Sequence, residues 1–161
     1  MIDLEIMKTV EALKGLNNDQ LAGIQKYSEK MEFNQGQRLF SEGEDSAHLW
    51  IVLEGEVELR YDRPEGQPNP VEDPISFISK AELFGWSSFM PPYKYKLSAY
   101  CAGQKCEVIR IEKESLVELF ENDAAMGYVL MSQILRVIGT HFYQFRNGIA
   151  KRWGHDIMSG W

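Results

Sequence analysis

Side chains that could hold a metal ion are few and widely separated in this sequence. There are three histidines: His48 begins a strand-like run, His141 lies in a helix-like segment, and His155 lies near the C-terminus. A metal site needs several such ligands converging on one point, and in a sheet they come from facing positions on neighbouring strands. No two of these histidines have that placement. The sequence therefore predicts no metal centre of the usual kind and no metal cofactor.

Thiol and nucleophile chemistry also finds little support. Cys101 and Cys106 are five residues apart on a segment predicted to be extended, where successive side chains alternate between faces. They are expected to point to opposite faces and to be free thiols in a reducing cytoplasm. The sequence contains no nucleophile elbow, phosphate-binding loop or dinucleotide fingerprint. We therefore expect no catalytic residues and no enzyme activity.

The composition is that of one ordinary globular domain. The 161 residues are 44% hydrophobic and 25% charged, with a formal net charge of −7. A surplus of negative charge repels the phosphates of nucleic acids and anionic lipids. The acidic start of the chain is unlike a secretory signal, and polar residues interrupt the longest apolar helix candidate. We expect a cytoplasmic domain that binds neither nucleic acid by itself nor a membrane.

The first 30 residues predict helices. Apolar residues from Leu4 to Leu16 recur at helical spacing, and Gly15 offers a stop. Asn17 then offers an N-cap for a second amphipathic segment, which we extend to about residue 30.

From residue 31 the pattern changes to short runs rich in β-branched and aromatic residues, separated by glycine-containing turns. The runs lie at 38–40, 48–53, 56–61, 75–78, 95–100 and 106–111. Four of the six prolines fall between Asp62 and Pro74, which predicts a long exposed hairpin loop. Helices are predicted at Lys113–Phe120 and from about Asn122 to Phe145. Helices, then strands, then helices is an order typical of an α+β fold.

Two glycine-containing segments carry a resemblance to a known family. They are Phe33–Glu44, with Gly36 and Gly43, and His48–Leu59, with Gly55. Glycines at such corners allow the positive φ angles at which one strand turns into the next. The pattern resembles the cyclic nucleotide-binding domain, the effector half of catabolite-activator-type regulators and of kinase regulatory subunits.

The resemblance implies a double-stranded β-helix, a jelly-roll, cupin-like barrel with N-terminal helices and a long C-terminal helix. It implies one domain over residues 1–161. The expected parts are helices at about 2–30, a β-roll at about 31–112, helices at about 113–147 and a tail at 148–161.

The family holds its cyclic phosphate in a cassette between two strands, and the matching segment here is Phe84–Ala99, called the cassette below. In the family, backbone amides of a short helical turn and an arginine hold the phosphate, and a glutamate binds the ribose. Trp86 stands where the resemblance places the glutamate. Lys96 stands where it places the arginine, or Tyr95 does if the register slips by one. The ligand-binding residues that the resemblance implies are Gly85, Trp86, Ser87, Ser88, Lys96, Leu97 and Ser98.

The two replacements change the ligand that the resemblance implies. The Trp86 indole donates one N–H and cannot accept a hydrogen bond from a ribose hydroxyl. Lys96 keeps a positive charge but lacks the planar fork of a guanidinium. We therefore expect no strong binding of cyclic AMP or cyclic GMP. Two alternatives stay open: a different small anionic or aromatic ligand, or a structural turn in which Trp86 fills the pocket as a core or interface aromatic.

The C-terminal helix has more apolar surface than packing on one domain requires. Its coiled-coil-like seam, with spacings of four and three residues, is Met131, Leu135, Ile138, Phe142 and Phe145. A second stripe is Leu130, Ile134 and Val137. The resemblance implies a homodimer through the 122–145 helix; alternatively, the N-terminal helices of the same chain cover both stripes. It also implies ligand contacts from polar residues of this helix, for which the candidates are Ser132, Gln133 and Arg136.

The function that the resemblance implies is that of a regulatory or sensory module without catalysis. A ligand in the cassette would shift the packing of the long helix and so change the surface that a partner protein binds. The alternative is a ligand-free protein-interaction module on the same fold, and a metal-dependent cupin-type enzyme is the least favoured. Catabolite-activator-type regulators carry a helix-turn-helix domain after this helix. Only 16 residues follow Phe145, so no such unit is expected within this sequence.

Overall fold

The N-terminal region forms two short helices rather than one continuous helical block. A computed structural model describes residues 1–62 and 76–153, with side chains as far as residue 149. Helix α1 is Leu4–Lys8, a 3-10 turn follows at Glu11–Leu13, and α2 is Asn18–Gln25. The predicted cap is confirmed, because the Asn17 side chain accepts the Gln20 N–H at 2.9 Å and the Gln20 side chain accepts the Asn17 N–H at 3.0 Å.

Eight strands and two further helices follow within the described residues. The strands are β1 Ser28–Asn34, β2 Arg38–Phe40, β3 His48–Glu54, β4 Val57–Arg60, β5 Ser76–Ile78, β6 Leu83–Phe84, β7 Ser98–Cys101 and β8 Lys105–Glu112. The helices are α3 Lys113–Asn122 and α4 Ala124–Trp153, and a 3-10 turn at Trp86–Phe89, called the cassette turn below, lies between β6 and β7. Most of the predicted proline loop and residues 154–161 of the predicted tail lie outside the described residues. Residues 148–153, which were predicted as part of the tail, belong to α4.

The strands form two antiparallel four-stranded sheets. The first sheet has the order β1-β8-β3-β6, and the second has the order β2-β7-β4-β5. The predicted α+β class is confirmed. The sheets are not joined by strand pairing into a closed barrel within the described ranges, since each of them keeps two edge strands.

Strand β3 contributes to two separate cores because its side chains alternate between its faces. Leu49, Ile51 and Leu53 pack with the helices, in a core that includes Leu130 of α4. Trp50 and Val52 pack between the two sheets, and all five of these β3 side chains are buried. The strand therefore ties the helices to the sheet-to-sheet core.

The prediction of helix as far as residue 30 is wrong. Strand β1 begins at Ser28, and it pairs with β8 at seven successive positions from Ser28↔Ile111 to Asn34↔Lys105. The α2 helix ends at Gln25. Pairing with a strand that is remote in sequence outweighs the local pattern here, because helix propensity is a weak preference.

The prediction for the cysteines is also wrong in its geometry. Cys101 ends β7 and Cys106 lies in β8, and both side chains are buried as free thiols in the core between the sheets. Alternation holds only along one strand, and the turn between β7 and β8 resets it. Burial, together with a hydrogen bond to the Cys101 side chain, raises the pKa of the Cys106 thiol to about 12.

This raised pKa predicts a loss of stability at alkaline pH. The unfolded chain releases the Cys106 proton near the ordinary value of 9.0, whereas the folded chain holds it to about 12. The folded state therefore binds more protons in this interval, so its stability falls as pH rises from about 9. Between pH 8 and pH 10.5 we expect this thiol to account for a loss of about 2 kcal/mol. Urea unfolding at both values measures it, and Cys106→Ala should show a smaller loss; an equal loss in both proteins would contradict the assignment.

Within residues 1–62 and 76–153, no helical stretch combines the length and the apolar character that crossing a bilayer requires.

Candidate functional site

The cassette begins where β6 ends against β3. Phe84 pairs with Trp50 in the first sheet, and Gly85 then turns the chain with a φ of +75° into the cassette turn. A Cβ atom at Gly85 would lie 2.6 Å from Cδ1 of Trp50 and 3.3 Å from the His48 carbonyl oxygen. The turn therefore requires glycine for its backbone conformation and for the closeness of β3.

A small cavity lies between the cassette turn and the return strand. Its volume is about 80 Å³, and it is lined by Phe40, Leu59, Gly85, Trp86, Ser87, Tyr95, Lys96 and Leu97. Pockets that enclose small organic ligands usually measure about 300–1,000 Å³. The cavity is thus smaller than the pockets that usually enclose a ligand the size of a cyclic mononucleotide.

The structure brings five of the seven predicted residues to this cavity: Gly85, Trp86, Ser87, Lys96 and Leu97. The other two are buried and already engaged. The Ser88 hydroxyl donates to the Gly85 carbonyl at 3.1 Å, and the Ser98 hydroxyl accepts the Glu42 N–H at 2.8 Å. Ser88 thus holds the backbone of the cassette turn, Ser98 binds the backbone at Glu42, and neither side chain lines the cavity.

An aromatic cluster lies behind the cavity, and two of its members, Phe40 and Tyr95, line the cavity wall. The rings of Phe40 and Tyr95 stack at 3.7 Å and 11°. The Trp50 indole N–H donates to the Tyr95 hydroxyl at 3.0 Å, and burial raises the pKa of that hydroxyl. Phe84 completes the cluster, with its ring 6.0 Å from those of Phe40 and Trp50. The signal available in the sequence was the run of large aromatics next to the glycine-containing segments.

Lys96 is the cation of the cavity. It is exposed and has no ion-pair partner in the ranges that the structure covers. Lys94, two residues earlier, is different: its ammonium lies 2.6 Å from Asp45, and this hydrogen bond lowers the pKa of that carboxyl group. Lys96 therefore offers its charge at the cavity, where a small anion could approach it.

Trp86 connects the cassette turn to the long helix. Its ring lies 4.9 Å from the ring of His141 on α4, with an angle of 39° between the planes. The Nδ1 atom of His141 is 3.3 Å from the Ser76 hydroxyl oxygen on β5. Burial lowers the pKa of His141, although Glu82 acts in the opposite direction. His141 is therefore neutral at pH 7 and packs as an aromatic ring.

The helix residues proposed to contact a ligand are not those that approach the cassette. Ser132, Gln133 and Arg136 do not line the cavity, and the Ser132 hydroxyl donates to the Tyr128 carbonyl of its own helix at 2.7 Å. The α4 helix passes the cassette turn at His141 instead, more than one helical turn beyond Arg136.

The two apolar stripes predicted on α4 have different surroundings. Leu130 and Ile134 are buried within the chain, at 0% and 4% exposure. The seam is open in part: Leu135 is 70% exposed and Phe145 is 62% exposed, whereas Met131 and Ile138 are half-buried against the core that includes Leu130. The alternative in which the N-terminal helices cover both stripes is therefore wrong, because the large apolar side chains of Leu135 and Phe145 face outward.

A larger groove lies between α1 and the first sheet. Its volume is about 700 Å³. The charged side chains at its rim pair with one another: Lys30 binds Glu107 at 2.7 Å, and Lys80 binds Glu54. The fifth charged residue of the rim, Glu5, pairs with Lys8 at 2.6 Å, so each charged side chain that lines the groove has an ion-pair partner. Among the described residues, no three His, Cys, Asp or Glu side chains are close enough to share a metal ion.

Comparison with known proteins gives consistent matches. The family model for the cyclic nucleotide-binding domain matches residues 30–123. A CRP-like cAMP-activated global transcriptional regulator of Mycobacterium tuberculosis is 21% identical over 151 residues, which cover 91% of this chain and 61% of the regulator. The chain thus spans about three fifths of the length of this curated relative.

Solved structures share the fold. A protein of Geobacter metallireducens GS-15, provisionally named a cyclic nucleotide-binding protein, is 29% identical, with a TM-score of 0.76 over 88% of this chain and 99% of its own. A cyclic nucleotide-binding domain from Methylobacillus flagellatus KT is 17% identical, with a TM-score of 0.74 over 92% of this chain and 81% of its own.

Proposed function

Because the chain belongs to the cyclic nucleotide-binding domain family, we propose that it is a regulatory module without catalytic activity that works as a homodimer through α4. In this proposal residues 1–161 form one domain with the double-stranded β-helix arrangement of the family. The cassette senses a small ligand, and α4 carries the response to a partner.

The observation that carries the proposal is the exposed part of the seam on α4, which includes Leu135 and Phe145. Tyr128, 76% exposed, extends the predicted seam by one position toward the N-terminus at the same spacing. Such a row on a helix is a docking surface, because large exposed apolar patches mark interaction sites. A second copy presents the same row, and a symmetric pair buries both at once. We therefore assign this surface to a homodimer.

The proposed ligand is a small anion or an anionic aromatic rather than a cyclic nucleotide held in the family's usual way. Lys96 provides the charge, and Ser87, Trp86 and Tyr95 provide polar and aromatic surface. A ligand larger than the 80 Å³ cavity requires the cassette to open. The alternative is a protein-interaction module that binds no ligand. It is favoured by the small volume of the cavity and by the closely packed aromatic side chains of its wall.

A thermal melt tests the ligand proposal. The wild-type protein is melted with millimolar cyclic AMP, cyclic GMP, other nucleotides, inorganic phosphate and small aromatic carboxylates. A ligand at 100 times its Kd adds about 2.7 kcal/mol of stability, and each kcal/mol raises the Tm of a chain of this size by about 2–4 °C. A rise of several degrees with one compound is the expected result.

The control for the melt is a pair of lysine variants. Lys96→Ala should abolish the rise, whereas Lys94→Ala, which removes a cation already paired with Asp45, should keep it. No rise with any compound would support the ligand-free alternative. A rise with a cyclic mononucleotide that survives Lys96→Ala would contradict the assigned role of Lys96. Sedimentation of the wild-type protein tests the dimer separately.

A further inference from the structure

We propose that Trp86 and His141 form a latch that fixes the cassette turn on α4 through the chain's own side chains. A ligand that enters the cavity must move Trp86, and moving Trp86 releases this part of α4. The inference rests on the proposed regulatory function and specifies how the same site would be coupled to the helix.

The first support is the position of Trp86. Its side chain both lines the cavity and packs against His141, with 4.9 Å between ring centres. It also contacts both hydrophobic cores, so the indole lies at the junction of the sheets and the helices. A side chain with this position cannot be displaced from the cavity without changing its contact with α4.

The second support is that His141 is held from a different element. The Ser76 hydroxyl on β5 lies 3.3 Å from Nδ1 of His141. The imidazole therefore has a fixed partner on one side and the indole on the other. Three elements, the cassette turn, β5 and α4, therefore pack together at this point. The contact between the two rings is specific and is more than a loose contact on the surface.

A third contact holds the other end of the cassette turn in place. Phe89, at the far end of the cassette turn, lies 6.3 Å from Phe120 of α3 in a stacked arrangement. The turn is thus attached to α3 at one end and to α4 at the other. Loss of the Trp86 contact frees the end near the cavity while Phe89 keeps the turn on α3.

Hydrogen exchange of the full chain tests the latch. Trp86→Ala and His141→Ala should each speed exchange of the amides in 86–89 and around 138–145 by about tenfold, the factor that corresponds to about 1.4 kcal/mol. The double variant should show no more than the larger single effect, because both substitutions break one contact. Trp86→Phe, which retains a ring against His141, should restore most of the protection.

Two controls separate the latch from general destabilisation. Tyr143→Ala changes an exposed aromatic on the same helix and should leave residues 86–89 unchanged. Amides of β8 should keep their protection in every variant. If β8 also loses protection in Trp86→Ala, that variant is destabilised as a whole. The NMR ring resonances of His141 in Trp86→Phe then give a second readout, because replacing the indole changes the ring-current shift at His141.

The outcomes distinguish the latch from the proposed dimer. Faster exchange at 86–89 without any change in α4 overturns the latch, as do unchanged His141 resonances in Trp86→Phe. Sedimentation is run on the same samples. A wild-type protein that stays monomeric contradicts the homodimer, while the exchange at 86–89 and 138–145 still decides the latch.

Discussion

Replacing Gly85 with alanine is expected to lower the free energy of unfolding by about 3 kcal/mol. The residue has a φ of +75°, which costs an L-amino acid with a Cβ about 1–2 kcal/mol. The added Cβ would also lie 2.6 Å from the Trp50 ring, and such overpacking in a core costs about 1–3 kcal/mol. A loss of this size lowers the Tm by about 6–12 °C, and thermal and urea unfolding measure it.

Gly36→Ala is the matched control for this prediction. Gly36 has a φ of +76°, and no atom lies within 4 Å of the position of its Cβ. It therefore carries the same backbone cost without the contact, and we expect a loss of only about 1–2 kcal/mol. The difference between the two variants isolates the close approach of the cassette to β3. Equal losses would mean that the cassette moves away from Trp50 at little cost.

Replacing Leu135 with lysine is expected to raise the dissociation constant of the proposed homodimer by at least about a hundredfold, which corresponds to about 2.7 kcal/mol. Leu135 is near the middle of the seam and 70% exposed in the single chain. In a symmetric pair each copy loses the burial of a leucine, worth about 2 kcal/mol. Each copy also places a positive charge near its counterpart. Sedimentation over a range of protein concentrations measures the change.

The control is Thr140→Lys, which adds the same charge to an exposed position on the opposite face of α4. It should leave the dissociation constant nearly unchanged. Both variants should have a Tm close to that of the wild-type monomer, because neither side chain is part of the core. If both variants dissociate the dimer equally, net charge rather than the seam controls association. If neither does, the seam is not the interface.

The strands that the sequence predicted well are those whose local pattern agrees with their burial. Strand β2 was predicted with its observed bounds and β3 to within one residue. Five of the seven β3 residues are buried, and a buried strand beside a glycine turn has a distinctive sequence. Strand β1 was missed because three of its seven residues are charged and its alternation is weak. Its structure follows from pairing with β8, which no local pattern reports.

The candidate site was likewise predicted correctly only where the sequence signal is local. The order of the glycine segments and the Phe-Gly start located the cassette, and five predicted residues meet at one cavity. Tyr95 was considered only as an alternative to Lys96, yet it forms the wall of the cavity with Phe40, a residue more than fifty positions earlier. His141 was considered only as a metal ligand and instead contacts Trp86. Both pairings depend on how distant elements pack, so one-dimensional spacing could not predict them.

The order of strand pairing has a consequence for how the chain folds during synthesis. Strands β1 and β3 both pair with β8, and β2 pairs with β7, so the first three strands wait for partners from residues 83–112. Contacts this distant in sequence slow folding, because a long loop must close before any pairing is gained. A ribosome that has released only the N-terminal half therefore presents unpaired strands, including the apolar β3. Such an intermediate is prone to aggregation until residues 83–112 are available for pairing.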